Sequence, residues 1–246
     1  MQGVASSDLL LAAVFFLAAV LYSSVGHAGA SGYLAAMAFL GAPTPMMRPT
    51  ALVLNLIVAS IATVRFHRAG LILWDRWWPF ALGSIPMAFV GGALTLPSHW
   101  YRTLVGVILW MAAARLFFDW RIGRDSRAPG RGRAIMSGAG IGLLAGLTGT
   151  GGGIFLSPLL LLLGWAGTRE AAGMSAAFIL VNSAAGLAGN PASLQLLPPQ
   201  LPLWAGAALV GGLIGSELGT RRLGTPALKR LLGAVLVVAG IKLVFY

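Results

Sequence analysis

The sequence has 246 residues, of which 58% are hydrophobic and only 9% are charged, and its mean hydropathy is +0.85. Soluble domains carry about 25% charged residues, so 17 basic and 6 acidic side chains cannot cover a water-exposed surface on a chain of this length. The composition predicts an all-α integral membrane protein. The formal charge of +11 does not indicate a nucleic-acid partner, because the basic residues lie in short gaps between apolar runs.

The apolar runs predict two sets of five helical segments, most of them near the length of about 20 residues that crosses a bilayer. The first set comprises 9–25, 28–41, 50–64, 79–96 and 101–118. The second set comprises 134–148, 152–164, 172–188, 202–217 and 226–245. The first segment is expected to belong to the mature fold, because Met1 to Asp8 lacks the basic residues of a signal peptide.

The two sets resemble one pattern written twice, at an offset of 123 residues. The matching pairs include Gly26 with Gly149, Leu40 with Leu163, Gly41 with Gly164 and Pro79 with Pro202. We therefore predict a first transmembrane repeat at 1–120, a linker at 121–133 and a second repeat at 134–246. Each repeat is expected to hold about three full transmembrane helices and one pair of short helices interrupted by glycine.

Charge placement predicts that the two repeats have inverted topology. The linker 121–133 is rich in arginine and the loop 65–78 carries three arginines, so both are expected in the cytoplasm. The loop 189–202, which corresponds to 65–78 by the offset, has no charge and is expected outside. Equivalent loops then lie on opposite sides, as in many secondary transporters. The alternative is a parallel duplication, which needs the loop 189–202 to be cytoplasmic.

Two glycine-rich breaks at corresponding positions are the strongest indication of a binding site. They are Ser23–Gly32 and Gly149–Pro158, and each lies between two short apolar segments. Irregular backbone at membrane depth is tolerated only where protein covers it or where it lines an aqueous cavity. A helix that starts after such a break directs free N–H groups and a positive dipole end toward it, which favours an anion. The alternative is close packing of helices through small residues.

Polar side chains inside apolar segments complete the predicted substrate site. His27 is expected to donate to an anion or carry a proton, or to be a hydrogen-bonded structural residue. Asn55 and Asn182 either line a pore or bond a neighbouring helix. The predicted substrate-binding residues are Ser24, Gly26, His27, Gly29, Ser31, Asn55, Thr148, Thr150, Gly151, Gly152, Gly153 and Asn182.

Other features have simpler interpretations. Two rows of glycines spaced by four residues predict faces where helices touch. They are Gly138, Gly142 and Gly146 in one segment and Gly211, Gly215 and Gly219 in another. Glu217 is expected to form an interfacial ion pair with Arg221, four residues later, and the alternative is a coupling proton site.

The sequence contains no pattern of a soluble catalytic site. It has no phosphate loop of the type GxxxxGK[ST], no HExxH and no Gly-x-Ser-x-Gly elbow. It has no cysteine, and its three histidines are too far apart in sequence for metal-ligand spacing. We therefore expect neither enzymatic activity nor a cofactor or catalytic metal.

At these residues the sequence resembles the TauE/SafE family of sulfite exporters and related membrane anion transporters. The matching elements are Gly149–Pro158 with Leu159 and Leu160, then Gly164, then Ala171–Ser175 leading into Asn182–Gly186. The first half departs from this pattern, because His27, Ala28 and Ala30 interrupt the glycine run and Ala35 stands where the proline would be.

The resemblance implies export of sulfite, or transport of a related anion such as a sulfonate or thiosulfate, without ATP hydrolysis. The residues alone favour a secondary transporter of a small anion, a multi-pass membrane protein with both termini outside, and the resemblance implies the bacterial inner membrane. A transporter of another solute such as sulfate or a carboxylate, a passive channel and a non-transporting scaffold are the alternatives. Coupling to protons and assembly into a homodimer are left open.

Overall fold

The computed structural model describes residues 6–117, 129–221, 237 and 240–245, and every regular element within those ranges is helical. The first five helices are α1 (Ser6–Ser23), α2 (Ala30–Phe39), α3 (Thr44–Arg68), α4 (Trp74–Ala93) and α5 (Ser98–Phe117). The next four are α6 (Arg131–Thr148), α7 (Gly153–Leu162), α8 (Thr168–Gly189) and α9 (Leu201–Arg221). A short 3₁₀-helix, Pro191–Leu196, lies between α8 and α9.

Within the described residues, four helices are long and apolar enough to cross a membrane: α1, α3, α8 and α9. The predicted all-α membrane class is therefore confirmed. Both α3 and α4 begin five or six residues earlier than predicted and include Pro49 and Pro79 in their interiors. Proline removes one helical hydrogen bond, but neighbouring helices in a membrane bundle can satisfy the backbone group that is freed.

Two predicted features fall largely outside the described residues. Residues 118–128 are not described, so 121–128 of the predicted linker 121–133 lie outside the described residues, and α6 begins at Arg131, within that linker. Of the predicted last segment, only residue 237 and the helical residues 240–245 are described. Lys242 Nζ donates to the carbonyl of Phe39 at 2.7 Å, at the end of α2.

The short helices α2 and α7 have the same length and occupy corresponding positions. Each contains 10 residues, about 15 Å of helix, which is half of a hydrocarbon core of about 30 Å. The left-handed glycines that flank them also recur at the offset of 123. The pairs are Gly26 with Gly149, Gly29 with Gly152 and Gly41 with Gly164.

A row of glycines joins α6 to α4, as predicted. At each of these glycines the position of a Cβ atom is already occupied by a carbonyl oxygen of α4. The facing pairs are Gly138 with Phe80, Gly142 with Ser84 and Gly146 with Ala88. Because residue numbers rise together along both helices, α4 and α6 run parallel.

The second glycine row joins α9 to α1 in the same way. The facing pairs are Gly211 with Phe16, Gly215 with Val20 and Gly219 with Ser24. Here, too, the numbers rise together, so α1 and α9 run parallel. The first helix of each half thus packs against the fourth helix of the other half.

The central pair of the bundle is α3 with α8, which correspond to each other by the offset. Asn55 contacts Ser183, and Leu52 contacts Gly186. Further along, Ala62 of α3 belongs to the same buried cluster as Ala176 of α8. Residue numbers therefore rise along one helix as they fall along the other, and the two helices run antiparallel.

Substitution in a packed glycine row is expected to destabilise the bundle. Gly142→Ala places a methyl group on the Ser84 carbonyl, and overpacking of this kind costs about 1–3 kcal/mol. Gly140→Ala, on the same helix, is the matched control, because no atom lies within 4 Å of its Cβ position. Thermal unfolding in detergent should show a lower Tm for Gly142→Ala only. Equal Tm values for the two variants would contradict close packing of α6 on α4.

Candidate anion site at the two glycine breaks

The second break lies between α6 and α7 and depends on glycine for its path. Gly149, Gly151 and Gly152 all have positive φ angles, of 82°, 73° and 83°, a conformation that side chains other than glycine rarely adopt. A Cβ on Gly151 would lie 2.7 Å from Ile179 and 3.0 Å from the Nδ2 of Asn55. The backbone of this break therefore passes directly against α3 and α8.

The first break, between α1 and α2, has the same character but a different lining. Gly26 and Gly29 have φ angles of 78° and 110°. Gly29 lies against the ring of Tyr33, whose hydroxyl donates to the carbonyl of Ala28 at 2.7 Å. This bond fixes the backbone immediately before α2. At the other end of the break, Gly26 packs on the backbone of Ala172 at the start of α8.

His27 brings the two breaks together. Its side chain is 7% exposed, its Nε2 lies 3.0 Å from the carbonyl of Gly153 and its Nδ1 lies 3.1 Å from the carbonyl of Val25. A carbonyl only accepts, so a neutral ring donates to one of the two and a protonated ring donates to both. Both ring nitrogens of His27 thus lie within hydrogen-bond distance of protein carbonyls, and its role toward an anion or a proton stays a prediction. The bond to Gly153 also makes His27 the direct link between the first break and the first residue of α7.

Both short helices begin at a break without a side-chain cap. The N-cap residues are Gly29 for α2 and Gly152 for α7, and neither can supply a capping oxygen. The first N–H groups of an α-helix have no partner within the helix, and they lie at the positive end of the helix dipole. Two such ends close to His27 make a place where a small anion can be held by backbone N–H groups.

Two buried asparagines lie on α3 and α8, the helices that pack against the second break. Asn55 and Asn182 are both 0% exposed. The Nδ2 of Asn55 faces the carbonyl of Gly149 at 3.5 Å and the hydroxyl of Ser183 at 3.4 Å. Asn55 Oδ1 and both side-chain polar atoms of Asn182 are buried without a protein partner. Buried polar atoms are almost always bonded in folded proteins, so these atoms are candidates for contact with a ligand.

The predicted hydroxyl residues divide into two groups. Thr148 and Thr150 lie at the second break, with their hydroxyl oxygens 3.0 Å apart, and the Thr148 hydroxyl also bonds the carbonyl of Leu144. Ser24, just after α1, bonds the carbonyl of Leu21 in the last turn of that helix, and its backbone packs on α9. Ser31 is buried in the first turn of α2.

Sequence reasoning missed three residues that hold the breaks. Ser183 accepts from Asn55, Tyr33 fixes Ala28, and Tyr101 donates to the carbonyl of Thr148 at 3.2 Å. Ser183 had a signal, because it matches Ser60 at the offset of 123. No sequence signal pointed to the two tyrosines, because aromatic residues near helix ends are also common at the membrane interface.

Charged side chains lie near the ends of the long helices. Arg48 donates through its guanidinium to the carbonyls of Gly92 and Leu94 at the end of α4, and Gly149 packs against it. Glu217 pairs with Arg65 of α3 at 3.1 Å, with the Glu217 side chain 44% exposed. This pair joins two helices, and the side chain of the predicted partner Arg221 lies outside the described residues.

The described residues contain no group of three or more histidine, aspartate or glutamate side chains that could hold a metal ion. The functional groups at the breaks are backbone amides, hydroxyls, two side-chain amides and one imidazole. Such a set suits hydrogen bonding to a small polar or anionic solute.

Comparison with known proteins decides the family. The sequence profile described as Sulfite exporter TauE/SafE matches residues 11–243. The chain belongs to this family. It is also similar to "Probable membrane transporter protein y4hK" of Sinorhizobium fredii (strain NBRC 101917 / NGR234), with 39% identity over 240 residues that cover 96% of this chain and 97% of that protein. The family resemblance that the second glycine break carries is thus confirmed, and the match extends over nearly the whole chain. This TauE/SafE protein is a membrane transporter.

A test of the breaks in this TauE/SafE protein uses two left-handed glycines. Gly152→Ala and Gly41→Ala introduce similar backbone strain, of about 1–2 kcal/mol, because both glycines have positive φ. Gly41 has no atom within 4 Å of its Cβ position, whereas a Cβ on Gly152 would lie 2.9 Å from Phe178. We expect Gly152→Ala to lose anion-dependent thermal stabilisation and Gly41→Ala to keep it. If the Gly152 variant folds and is stabilised as the parent is, α7 does not bind the anion.

Proposed function

We propose that this protein is a secondary transporter that exports a small sulfur oxyanion, such as sulfite or a sulfonate, without hydrolysing ATP. The observation that carries the proposal is the hydrogen bond of His27, three residues before α2, to the carbonyl of Gly153, the first residue of α7, because it links the uncapped starts of the two short helices. The family supports sulfur as the element, and the uncapped helices support an anion as the chemical class. The site is built mainly from backbone N–H groups and from the polar side chains named in the sequence analysis.

We further propose that the two halves, 1–120 and 134–246, are inverted repeats. Left-handed glycines recur at one offset, and the first helix of each half packs on the fourth helix of the other. The corresponding helices α3 and α8 run antiparallel, as an axis in the membrane plane requires. The first two observations support an internal repeat, and the third supports inversion over a parallel duplication.

Charge supports the proposed orientation in the bacterial inner membrane. With the linker 121–133 in the cytoplasm and both termini outside, all but Arg48, Arg102 and Lys242 of the 17 basic residues lie on the cytoplasmic side. Movement of the α1–α9 pair relative to the α4–α6 pair, each of which contains one helix from each repeat, would then expose the breaks to each side in turn. The membrane potential acting on the anion, or protons, would supply the driving force.

Transport is tested most directly in liposomes. We expect saturable flux of sulfite that increases when the membrane potential drives the anion outward, because the site binds the anion before it is carried. The same anion should raise the Tm of the protein in detergent. Sulfate, thiosulfate and small sulfonates should be measured in parallel, with and without a pH gradient. Absence of both anion flux and anion-dependent stabilisation would contradict the proposal.

Orientation is tested with reporters of topology fused at residues 125 and 195. The inverted arrangement predicts that the reporter at 125 is cytoplasmic and the reporter at 195 is external. Two cytoplasmic reporters would contradict inversion and favour a parallel duplication.

A further inference from the structure

We propose that the site recognises the singly protonated form of its oxyanion, so that the transported species is hydrogensulfite and neither a dianion nor a sulfonate that lacks an O–H group. This inference rests on the proposed function, and it narrows the substrate of that same site. Two independent features carry it: the charge available at the breaks and an acceptor buried beside them.

The charge at the breaks matches one negative charge. Each helix N-terminus acts as about half of a positive elementary charge, so α2 and α7 together supply about one. The residues of the two described breaks, 24–29 and 149–152, include no lysine or arginine. Arg48 lies beside Gly149, but its guanidinium donates to the carbonyls of Gly92 and Leu94, at the negative end of α4, which offsets its charge. A dianion would leave a negative charge without compensation in a buried, low-dielectric place, where such charges are strongly disfavoured.

Asn55 supplies an acceptor where a bare anion needs only donors. The carbonyl of Gly149 can only accept a hydrogen bond, so the amide of Asn55 must face it with the NH₂ group. This fixes the other amide atom as Oδ1, which is buried without a protein partner. A fully deprotonated oxyanion presents only acceptor oxygens to it. Hydrogensulfite can donate its O–H to this atom while its remaining oxygens accept from the helix N-termini.

Asn182 extends the same chemistry to α8. Asn182 lies three residues after Ile179, whose side chain contacts Gly151 and Gly153. Residues three apart share one face of a helix, so Asn182 lies on the face of α8 that meets the second break. Both polar atoms of its amide are buried and unpartnered. One amide therefore offers a donor and an acceptor together, a combination that suits an anion with one O–H group.

The effect on binding of the titratable and charged groups around Asn55 must be separated from the effect of protonating the ligand itself. His27 faces the second break from the first, Arg48 lies beside Gly149, and Arg65 pairs with Glu217 farther along α3. Of these groups, the imidazole of His27 is the one that can change its charge near neutral pH, and its positive charge would favour a dianion over a monoanion. The ratio of the two anions is therefore also measured in the His27→Gln variant, which lacks this titration.

The experiment compares sulfite with methanesulfonate across neutral pH. Sulfite changes from monoanion to dianion there, whereas methanesulfonate is a monoanion without an O–H at every pH used. Apparent Kd values come from thermal stabilisation, and KM values from flux in liposomes. Above the pKa of hydrogensulfite, we expect the Kd of sulfite relative to that of methanesulfonate to rise about tenfold per pH unit, as the protonated fraction falls. Thiosulfate, a dianion throughout, should bind weakly.

Asn55→Leu tests the acceptor itself. Loss of one hydrogen bond should reduce the preference for sulfite over methanesulfonate at acidic pH by about tenfold. Ser60→Ala on the same helix is the control, because Ser60 is exposed and bonds only the carbonyl of Leu56. The pH profile of the parent protein decides the matter even if Asn55→Leu fails to fold.

Each result has a separate meaning. Anion binding with a sulfite-to-methanesulfonate ratio that does not change with pH, or that favours the dianion, overturns this inference and leaves the proposed anion transporter intact. An unchanged preference in a folded Asn55→Leu variant overturns the role of Asn55. No binding or flux of any anion overturns the proposed function, and this inference with it.

Discussion

Backbone N–H and C=O groups have no water to bond inside a hydrocarbon layer, and this constraint governs the whole bundle. The two glycine breaks interrupt helices, so their freed groups must find partners in the protein. His27 reaches from one break to the carbonyl of Gly153 in the other, Tyr33 bonds the carbonyl of Ala28, and Asn55 faces the carbonyl of Gly149. These bonds satisfy carbonyls. The N–H groups at the starts of α2 and α7 have no side-chain cap, which leaves the positive ends of both helices for a ligand.

Close packing of the long helices holds the two breaks in position relative to each other. Rows of glycine allow α4 to lie against α6 and α1 against α9 at distances that no side chain would permit. The paired arrangement confines the short helices, each half as long as a membrane span, between full-length neighbours. The antiparallel helices α3 and α8 run past both breaks and contribute Asn55 and Ser183 to the second. A movement of one glycine-packed pair relative to the other would therefore change the surroundings of the breaks while leaving the pairs themselves intact.

Much of this architecture could be predicted from the sequence because membrane helices have strong signals. Apolar length predicted the helices, and glycine spacing predicted the contact faces at Gly142 and Gly215. Helix ends were less certain, since Pro49 and Pro79 resemble boundaries but lie inside helices that neighbours support. The ion pair of Glu217 with Arg65 could not be predicted, because a residue on another helix has no local signal. Hydrogen-bond partners of His27 and Asn55 depend on how distant segments pack, so the residues were named from sequence but their geometry was not.

A structure determined with bound selenite tests the central claim most directly, since selenium scatters anomalously and selenite has the shape of sulfite. We predict one anomalous peak between the first turns of α2 and α7, within hydrogen-bond distance of backbone N–H groups and beside Asn55. A peak at Arg48 or on the surface, with none between the two breaks, would contradict an anion site built from the backbone of the two short helices.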